Sequence, residues 1–426
     1  MATVVLGVTG GIAAFKSVEL LRLLRAAGLD VTVVPTKAAL RFVGEPTWSA
    51  LSGRPIATDV WHDAHDVPHV RIGQGADVVV IAPATADFLA RAAHGIASDL
   101  LTNVLLTAHC PVIIAPAMHT EMWQHPATAA NVATLRSRGV IVLEPSEGRL
   151  TGADSGPGRL PEPRQIADVV SDVLRDAARA RHDASSPAPR GRTRPSLSGV
   201  RVVVSVGGTR EPWDDVRFLG NRSSGKQGFA VARAALARGA QVTAVVGHVD
   251  EPAPAGCSVI SATTAEEMRT TMHDVILEVE PQVVVMAAAV ADFRPVGGTG
   301  GKISKESLGP DPAAVPTLPL ARTTDILAEL VAKRGSAPAP LIAGFAAETP
   351  GLGEDLIGRA RVKLERKGCD VIVANSVASG AVFGEDRTSI VIVQASGQSR
   401  EVSGVDKLEA GFALWDTLTP IIPADR

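Results

Sequence analysis

The chain has 426 residues, a net charge of −3, no tyrosine and only 3% aromatic residues. That length holds two or three domains at roughly 100–200 residues each, and an apolar fraction of 46% excludes a disordered chain. The slight negative charge and the scarcity of rings argue against nucleic acid or an anionic membrane surface as the main partner.

The three cysteines, Cys110, Cys257 and Cys369, are far apart. They form neither a disulfide framework nor a zinc cluster, and they fit a reducing compartment. The first apolar run, Val4 to Ala14, is rich in glycine and lacks the basic start of a signal peptide. No apolar stretch approaches the roughly 20 residues of a membrane span. The expectation is a cytoplasmic protein.

In chain order, ATVVLGVTGGIAAFKSVELLRLLRAAGLDVTVVPT reads as strand, glycine loop, helix, Gly28 and strand. Further strands are expected at Asp77–Ala82, Val112–Ala115 and Val140–Leu143. From Arg175 to Pro195 six arginines stand against two aspartates amid Pro, Ser and Gly. This is linker composition, a solvated tether, with a phosphate-binding patch as the alternative. GVRVVVSVGGTREP and NRSSGKQGFAVARAALARGAQVTAVVG then repeat the strand–loop–helix–strand order. Strands follow at Val283–Ala288, Leu341–Phe345, Val371–Ala374 and Ser389–Gln394. Continuous apolar strands between amphipathic helices predict two α/β, doubly wound, Rossmann-like parallel-sheet domains. They are placed at 1–180 and 198–426, joined by a linker at 181–197.

The first loop, Gly7-Val-Thr-Gly10-Gly11-Ile, is not the dinucleotide fingerprint. The second strand ends Val34-Pro35-Thr36-Lys37, without the acid that holds a ribose diol. A mononucleotide phosphate held by amides near Gly11 and by Thr36 is expected, the alternative being glycines that serve only a tight turn. Ile81–Asp87, Ala115–Trp123 and Gly156–Arg159 stand at later strand ends, where small residues and proline admit a flat ring. Met122 and Trp123 are alternatively core filler, the more common role for such residues. His69 is a candidate base near a cofactor mouth, or a surface or capping residue.

Gly10-Gly11-Ile-Ala, His69-Val-Arg-Ile, Ala82-Pro-Ala-Thr85, Gly95-Ile-Ala-Ser98-Asp99-Leu-Leu and Pro116-Ala-Met118 resemble the flavin-dependent cysteine decarboxylases. More narrowly, they resemble the phosphopantothenoylcysteine decarboxylases. The resemblance implies a flavodoxin-like, homotrimeric flavoprotein with FMN between subunits. In that family flavin oxidises the substrate thiol to a thioaldehyde, the carboxylate leaves, and reduced flavin returns the electrons to give 4'-phosphopantetheine. By carry-over FMN meets Gly10, Gly11, Thr36, Ala84, Thr85, Ser98 and Met118, and His69 is the base. Two departures stand out. His119 replaces the Asn that binds the substrate carboxylate. Leu150–Ser155 lacks the family's proton-donating Cys, leaving Asp154, Thr151 and Ser155 as candidates.

In the second half, Gly220–Gln227 is one residue from a Walker A motif. Gln227 replaces the Mg²⁺-binding Ser or Thr, and the loop does not directly follow the first strand, which disfavours a P-loop. A Gly- and Ser-rich turn opening a helix at Lys226 still suits an anion. Thr323 or Thr324 is expected to cap a helix. Lys363 and Lys367 share a helix face, serving a triphosphate or simply solvated.

GGTREP, NRSSGK, AAVADFRP and GFAAET resemble, together and in order, the phosphopantothenate–cysteine ligases from Val200 to about Ser389. The bacterial branch uses CTP: the 4'-phosphopantothenate carboxylate forms an acyl-cytidylate and pyrophosphate, and the amine of L-cysteine then displaces CMP. The resemblance implies that Met286, Ala287, Ala288, Asp292, Lys302, Thr324, Asp325, Ile326, Leu327, Phe345, Lys363 and Lys367 bind CTP. Asn221 stabilises the acyl-cytidylate and Arg217 holds the substrate phosphate. Mg²⁺ is implied, with its ligands unassigned. Asn375-Ser376 departs from the family's Asn-Asp. Ligase dimers combined with decarboxylase trimers imply a homo-dodecamer. The whole chain reads as two consecutive enzymes of coenzyme A synthesis. The alternatives for the N-terminal half are a flavin-binding regulatory protein and an NADPH-type flavin oxidoreductase.

Overall fold

Valine-rich runs buried on both faces need helices above and below, and the computed structural model shows this layering twice. It describes all residues except 57, 59–66, 151–154, 184–195, 297–300, 305–314, 349–354, 377–384, 424–426 and the side chains of 182 and 183. The chain divides into two units. One comprises Met1–Gly199 with Ala235–Gln241 and Pro254–Cys257, and the other holds the remainder.

The first unit runs β1 (Thr3–Val8), α1 (Lys16–Ala26), β2 (Asp30–Pro35), α2 (Glu45–Ser52), α3 (Pro68–Gly75), β3 (Val78–Ala84), α4 (Ala86–His94) and α5 (Leu100–Thr107). It continues with β4 (Val112–Pro116), α6 (Thr120–Gln124), α7 (Pro126–Ser137), β5 (Ile141–Val142), β6 (Ser146–Arg149), β7 (Ser155–Arg159) and α8 (Pro163–Asp183). The sheet order is β2-β1-β3-β4-β5, parallel throughout. Every residue of β3 is buried. Val5, Ile81, Phe88, Leu101, Ile114 and Leu135 belong to one core cluster, each side chain contributing about 1.5–3 kcal/mol by burial. Gly7 leaves room for the core: a Cβ there would stand 2.6 Å from the terminal methyls of Ile81 and Leu101, which would have to shift. β6 and β7 pair antiparallel as a separate hairpin. Helix α8 reaches Asp183, so the arginine-rich segment is helical over Arg175–Asp183 rather than a tether from its start. Residues 184–195 of the expected linker lie outside the described residues.

The second unit runs β8 (Arg201–Val206), β9 (Arg210–Pro212), β10 (Phe218–Gly220), α9 (Lys226–Ala237), β11 (Gln241–Val246), β12 (Cys257–Ser261), α10 (Ala265–Val279), β13 (Val283–Met286) and β14 (Phe293–Pro295). Then come β15 (Leu320–Arg322), α11 (Ile326–Arg334), β16 (Leu341–Glu348), α12 (Leu356–Lys367), β17 (Val371–Ser376), β18 (Arg387–Gln394), β19 (Ser399–Asp406) and α13 (Lys407–Leu418). Eight strands form one sheet in the order β12-β11-β8-β13-β16-β17-β18-β19. The central pairs β8–β13, β13–β16 and β16–β17 are parallel. β17–β18 and β18–β19 are antiparallel. The expected parallel sheet therefore gains an antiparallel edge, a common addition to doubly wound sheets. Gly228 lets α9 close on β8, since a Cβ would meet the Val206 side chain at 2.9 Å. Trp415 anchors α13, its indole donating to the Val231 carbonyl at 2.9 Å. Among the described residues no helix is long and apolar enough to cross a membrane.

Candidate functional site

The carboxyl ends of β1, β3 and β4 form the first site, as the doubly wound topology requires. The Thr9 hydroxyl donates to the Pro83 carbonyl at 2.8 Å and accepts the Thr85 N–H at 3.0 Å. Ser17 donates to the Ala82 carbonyl at 2.6 Å. These bonds tie the chain after β1 and the start of α1 to the carboxyl end of β3. A Cβ on Gly10 would collide with Ala38, so that glycine admits a close chain crossing. The Gly11 N–H donates to the Thr9 carbonyl at 3.0 Å, and the chain enters a short 3-10 turn, Ile12–Phe15, before α1. Thr36 is buried and its hydroxyl accepts the Ala39 N–H at 3.2 Å. Thr85 caps α4, accepting from Phe88. The Ala84 carbonyl accepts from the Ala117 N–H at 3.0 Å, joining the ends of β3 and β4.

Ser98 lies in a charged network. Arg91 donates to its hydroxyl at 3.1 Å and to Asp99 at 2.7 Å. Asp99 caps α5 in a reciprocal box with Thr102. Burial opposes ionisation of Asp99, but the Thr102 N–H and the Arg91 guanidinium outweigh it and hold the carboxyl below its usual range. The Met118 N–H donates to Gly158 at 3.0 Å, and a Cβ on Gly158 would collide with the Met118 carbonyl. The side chains of Met118 and Trp123 pack on the core cluster, whereas Met122 is exposed. The Met118 side chain and Trp123 are thus packing residues. His119 is exposed at the start of α6.

His69 sits on the first turn of α3. Its carbonyl accepts from the Thr107 hydroxyl at 2.8 Å, which pins α3 to α5. Its Nδ1 is buried and, among the described residues, has no hydrogen-bond partner. The preceding Val67 has φ 42, a left-handed conformation that a β-branched residue adopts at a cost in strain. Of the candidate proton donors, Thr151 and Asp154 lie outside the described residues and Ser155 is exposed at the start of β7. The three cysteines form no disulfide with one another. Burial pushes the Cys369 thiol up to about 11, far from a reactive thiolate.

The second site is a cavity of roughly 410 Å³ at the carboxyl ends of the central strands. It is lined by Met286, Ala287, Ala288 and Asp292 after β13, by Thr324, Asp325, Ile326 and Leu327 at α11, by Phe345 on β16, and by Lys363 and Lys367 on α12. Asn221 and Asn375 line it as well. The loop after β13 is fixed by three side chains. Ser205 accepts the Ala288 N–H at 3.1 Å, Thr209 accepts the Ala291 N–H at 2.9 Å, and Asn221 donates to the Val290 carbonyl at 3.0 Å.

Asp325, not Thr323 or Thr324, caps α11, accepting the Ala328 N–H at 3.1 Å. Thr323 instead donates to the Ala291 carbonyl at 2.5 Å. Burial again disfavours the charged form of Asp325, but Lys367 and the cap outweigh it and lower its pKa. Lys363 pairs with Glu348 at 2.9 Å.

Two expected residues lie apart from the cavity lining. Lys302 is exposed. Arg217 pairs with the fully buried Asp214 side chain at 3.2 Å, donates to the Ile303 carbonyl at 3.3 Å and lies over the Trp213 ring at 5.3 Å. Lys226 and Lys407, which the sequence reading did not assign to the nucleotide, do line the cavity. The helix start at Lys226 was visible; nothing local marked Lys407, which the fold brings in from α13.

Comparison with known proteins follows the same division. Residues 1–175 match the Flavoprotein family and residues 197–421 match the family described as DNA/pantothenate metabolism flavoprotein C-terminal domain. The coenzyme A biosynthesis bifunctional protein CoaBC of Mycobacterium bovis is 52% identical over 392 residues, 90% of this chain and 88% of its own. That of Bacillus subtilis is 38% identical over 415 residues, covering 96% and 95%. A crystal structure of a CoaBC C-terminal domain aligns at 29% identity over 53% of this chain and 97% of its own, with a TM-score of 0.42. The chain belongs to the bifunctional CoaBC family of coenzyme A biosynthesis, enzymes that join a flavoprotein decarboxylase half to a ligase half.

Proposed function

We propose that the second unit uses CTP to join 4'-phosphopantothenate to L-cysteine, and that the first unit decarboxylates the product with FMN. The observation that carries the ligase reading is the cavity itself. Backbone after β13, the Phe345 ring and the lysines of α12 converge there with the glycine–serine turn before α9. A substrate carboxylate oxygen attacks the α-phosphorus of CTP, the bond to the β-phosphate breaks, and pyrophosphate leaves with the electron pair. The cysteine amine then attacks the acyl carbon, loses a proton, and CMP departs. Asn221 is placed in the reading beside the acyl-cytidylate, and Arg217 with the substrate phosphate. Among the described residues no group of three or more His, Cys, Asp or Glu suits a metal. In this reading Mg²⁺ enters as the counter-ion that CTP carries on its phosphates.

The residues of the first unit fit a flavin. The His69 Nδ1 is a buried nitrogen with no partner among the described residues, and side-chain-free Gly10 lies where strand-end loops converge. Bound FMN supplies two-electron oxidation of the substrate thiol and later returns the electrons. His69 takes the substrate proton on its imidazole. The exposed His119 holds the departing carboxylate. Thr36 keeps its hydroxyl hydrogen for a phosphate, since its oxygen is already the acceptor for Ala39.

Exposed Ile12, Phe15 and Ile96 around the first site, and Val216, Phe218 and Phe293 in the second unit, support homo-oligomers built from trimeric and dimeric contacts. A cytoplasmic setting is part of the same reading. The test offers CTP or ATP with phosphopantothenate and cysteine to the flavin-loaded protein. CMP release far above AMP release supports the assignment, and equal use of ATP defeats it.

A further inference from the structure

Among the described residues four lysines line the second cavity, and three of them have carboxylate partners. Lys363 pairs with Glu348 at 2.9 Å and Lys367 with Asp325. Lys226 pairs with Asp386 at 2.6 Å and Glu251 at 3.6 Å. Lys407 differs. It is only 9% exposed, lines the cavity, and among the described residues its ammonium has no ion pair or hydrogen bond. Burial and the neighbouring Lys226 charge push its pKa down, partly offset by Asp386, Glu251 and Glu385 at longer range. A buried ammonium without a partner costs stability. An anion that binds there repays this cost.

The two lysines are held side by side through one residue. Asp386 offers its carboxylate to Lys226, and its carbonyl accepts the Lys407 N–H at 3.1 Å. Lys226 opens α9 and Lys407 opens α13, so two helix N-termini with positive dipole ends meet at this corner. The Ser223–Ser224–Gly225 turn adjoins them in the cavity wall. Phe345 gives the same cavity a ring face for a base, which leaves the cationic corner to phosphate.

We propose that Lys407, with Lys226, forms the subsite for the pyrophosphate end of the nucleotide. This rests on the reading of the cavity as a nucleoside triphosphate site. When the substrate carboxylate attacks the α-phosphorus, negative charge grows on the oxygen that bridges to the β-phosphate. The β- and γ-phosphates of the bound nucleotide already carry the charge that the two ammonium groups meet, so loss of either lysine reads first in KM for CTP. The phosphate of phosphopantothenate is the other phosphate the corner suits, and the experiment separates the two.

Thermal unfolding of the full chain is measured with inorganic pyrophosphate, and ligation kinetics are measured for wild type, Lys407→Met, Lys407→Arg and Lys226→Met. The proposal expects pyrophosphate to raise the wild-type Tm but not that of Lys407→Met. It expects KM for CTP to rise about tenfold or more, with KM for phosphopantothenate and cysteine unchanged. Lys407→Arg should recover part of the loss. Without ligand, Lys407→Met should unfold no lower than wild type, because a buried charge has been removed. Should that variant fail to fold, Lys226→Met must still raise KM for CTP. An unchanged KM for CTP with an undiminished pyrophosphate shift overturns the proposal. A rise confined to KM for phosphopantothenate also overturns it. Failure of the nucleotide reading shows separately, as wild-type protein that releases no CMP.

Discussion

The Thr9 hydroxyl accepts the Thr85 N–H at 3.0 Å, joining residues at the ends of two neighbouring strands of the first unit. The same hydroxyl donates to Pro83, so one buried side chain satisfies two backbone groups of the β3–α4 turn. Thr9→Val keeps the shape and removes both bonds. We predict a loss of about 1–3 kcal/mol, the cost of leaving buried polar groups unpaired. Denaturant unfolding of the flavin half reads it directly. An unchanged midpoint would show that the turn is held by other means.

Asp99 ties acid sensitivity to the same half. Its folded pKa is lowered, so its contribution is complete above the ordinary carboxylate range of about 4. That contribution disappears as pH falls from there through the folded value. Asp99→Asn should therefore be less stable than wild type at pH 7, and the gap should start to close near pH 4 and go on closing as pH falls through the folded pKa. A gap that stays constant with pH would contradict the role of the ionised carboxylate.

Gly158 lies against the Met118 carbonyl, and a Cβ has no room. Gly158→Ala should push the β6–β7 hairpin from β4 and weaken flavin retention, with little effect on CMP release. Absorbance of bound flavin after gel filtration measures the first effect. Full flavin retention would show that the hairpin moves without disturbing the site.

Asp325 caps α11 and holds Lys367. Asp325→Ala should cost about 0.5–2 kcal/mol through the lost cap and raise KM for CTP by freeing Lys367 to move. Asp325→Asn keeps a capping oxygen and should recover stability more than KM. Equal recovery of both would tie the KM effect to the helix start alone.

The strand ends were legible in the sequence because Val-rich runs and glycine turns obey local rules. β3, β4, β13 and β16 fall within a few residues of expectation. The hairpin strands β6 and β7 were not, since SEGR and SGPGR carry no alternating apolar signal. β18 was expected, but not that it runs antiparallel, because pairing direction depends on the partner strand. The same holds for the cavity. Lys363 and Lys367 announced themselves by their spacing, whereas Lys407 is brought in by the fold from a distant segment. Nothing in the sequence showed that Ser98 is engaged by Arg91, or that Arg217 is held by the buried Asp214. Those partners are set by tertiary packing.

His69 carries the central claim of two separable chemistries on one chain, because it belongs to the first unit, where its Nδ1 is buried with no partner among the described residues. The most direct test measures CMP and CO₂ released by one preparation of wild type and of His69→Asn, supplied with CTP, phosphopantothenate and cysteine. The account predicts both products from wild type, and CMP without CO₂ from the variant. Loss of both products together, or undiminished CO₂ from the variant, would contradict it.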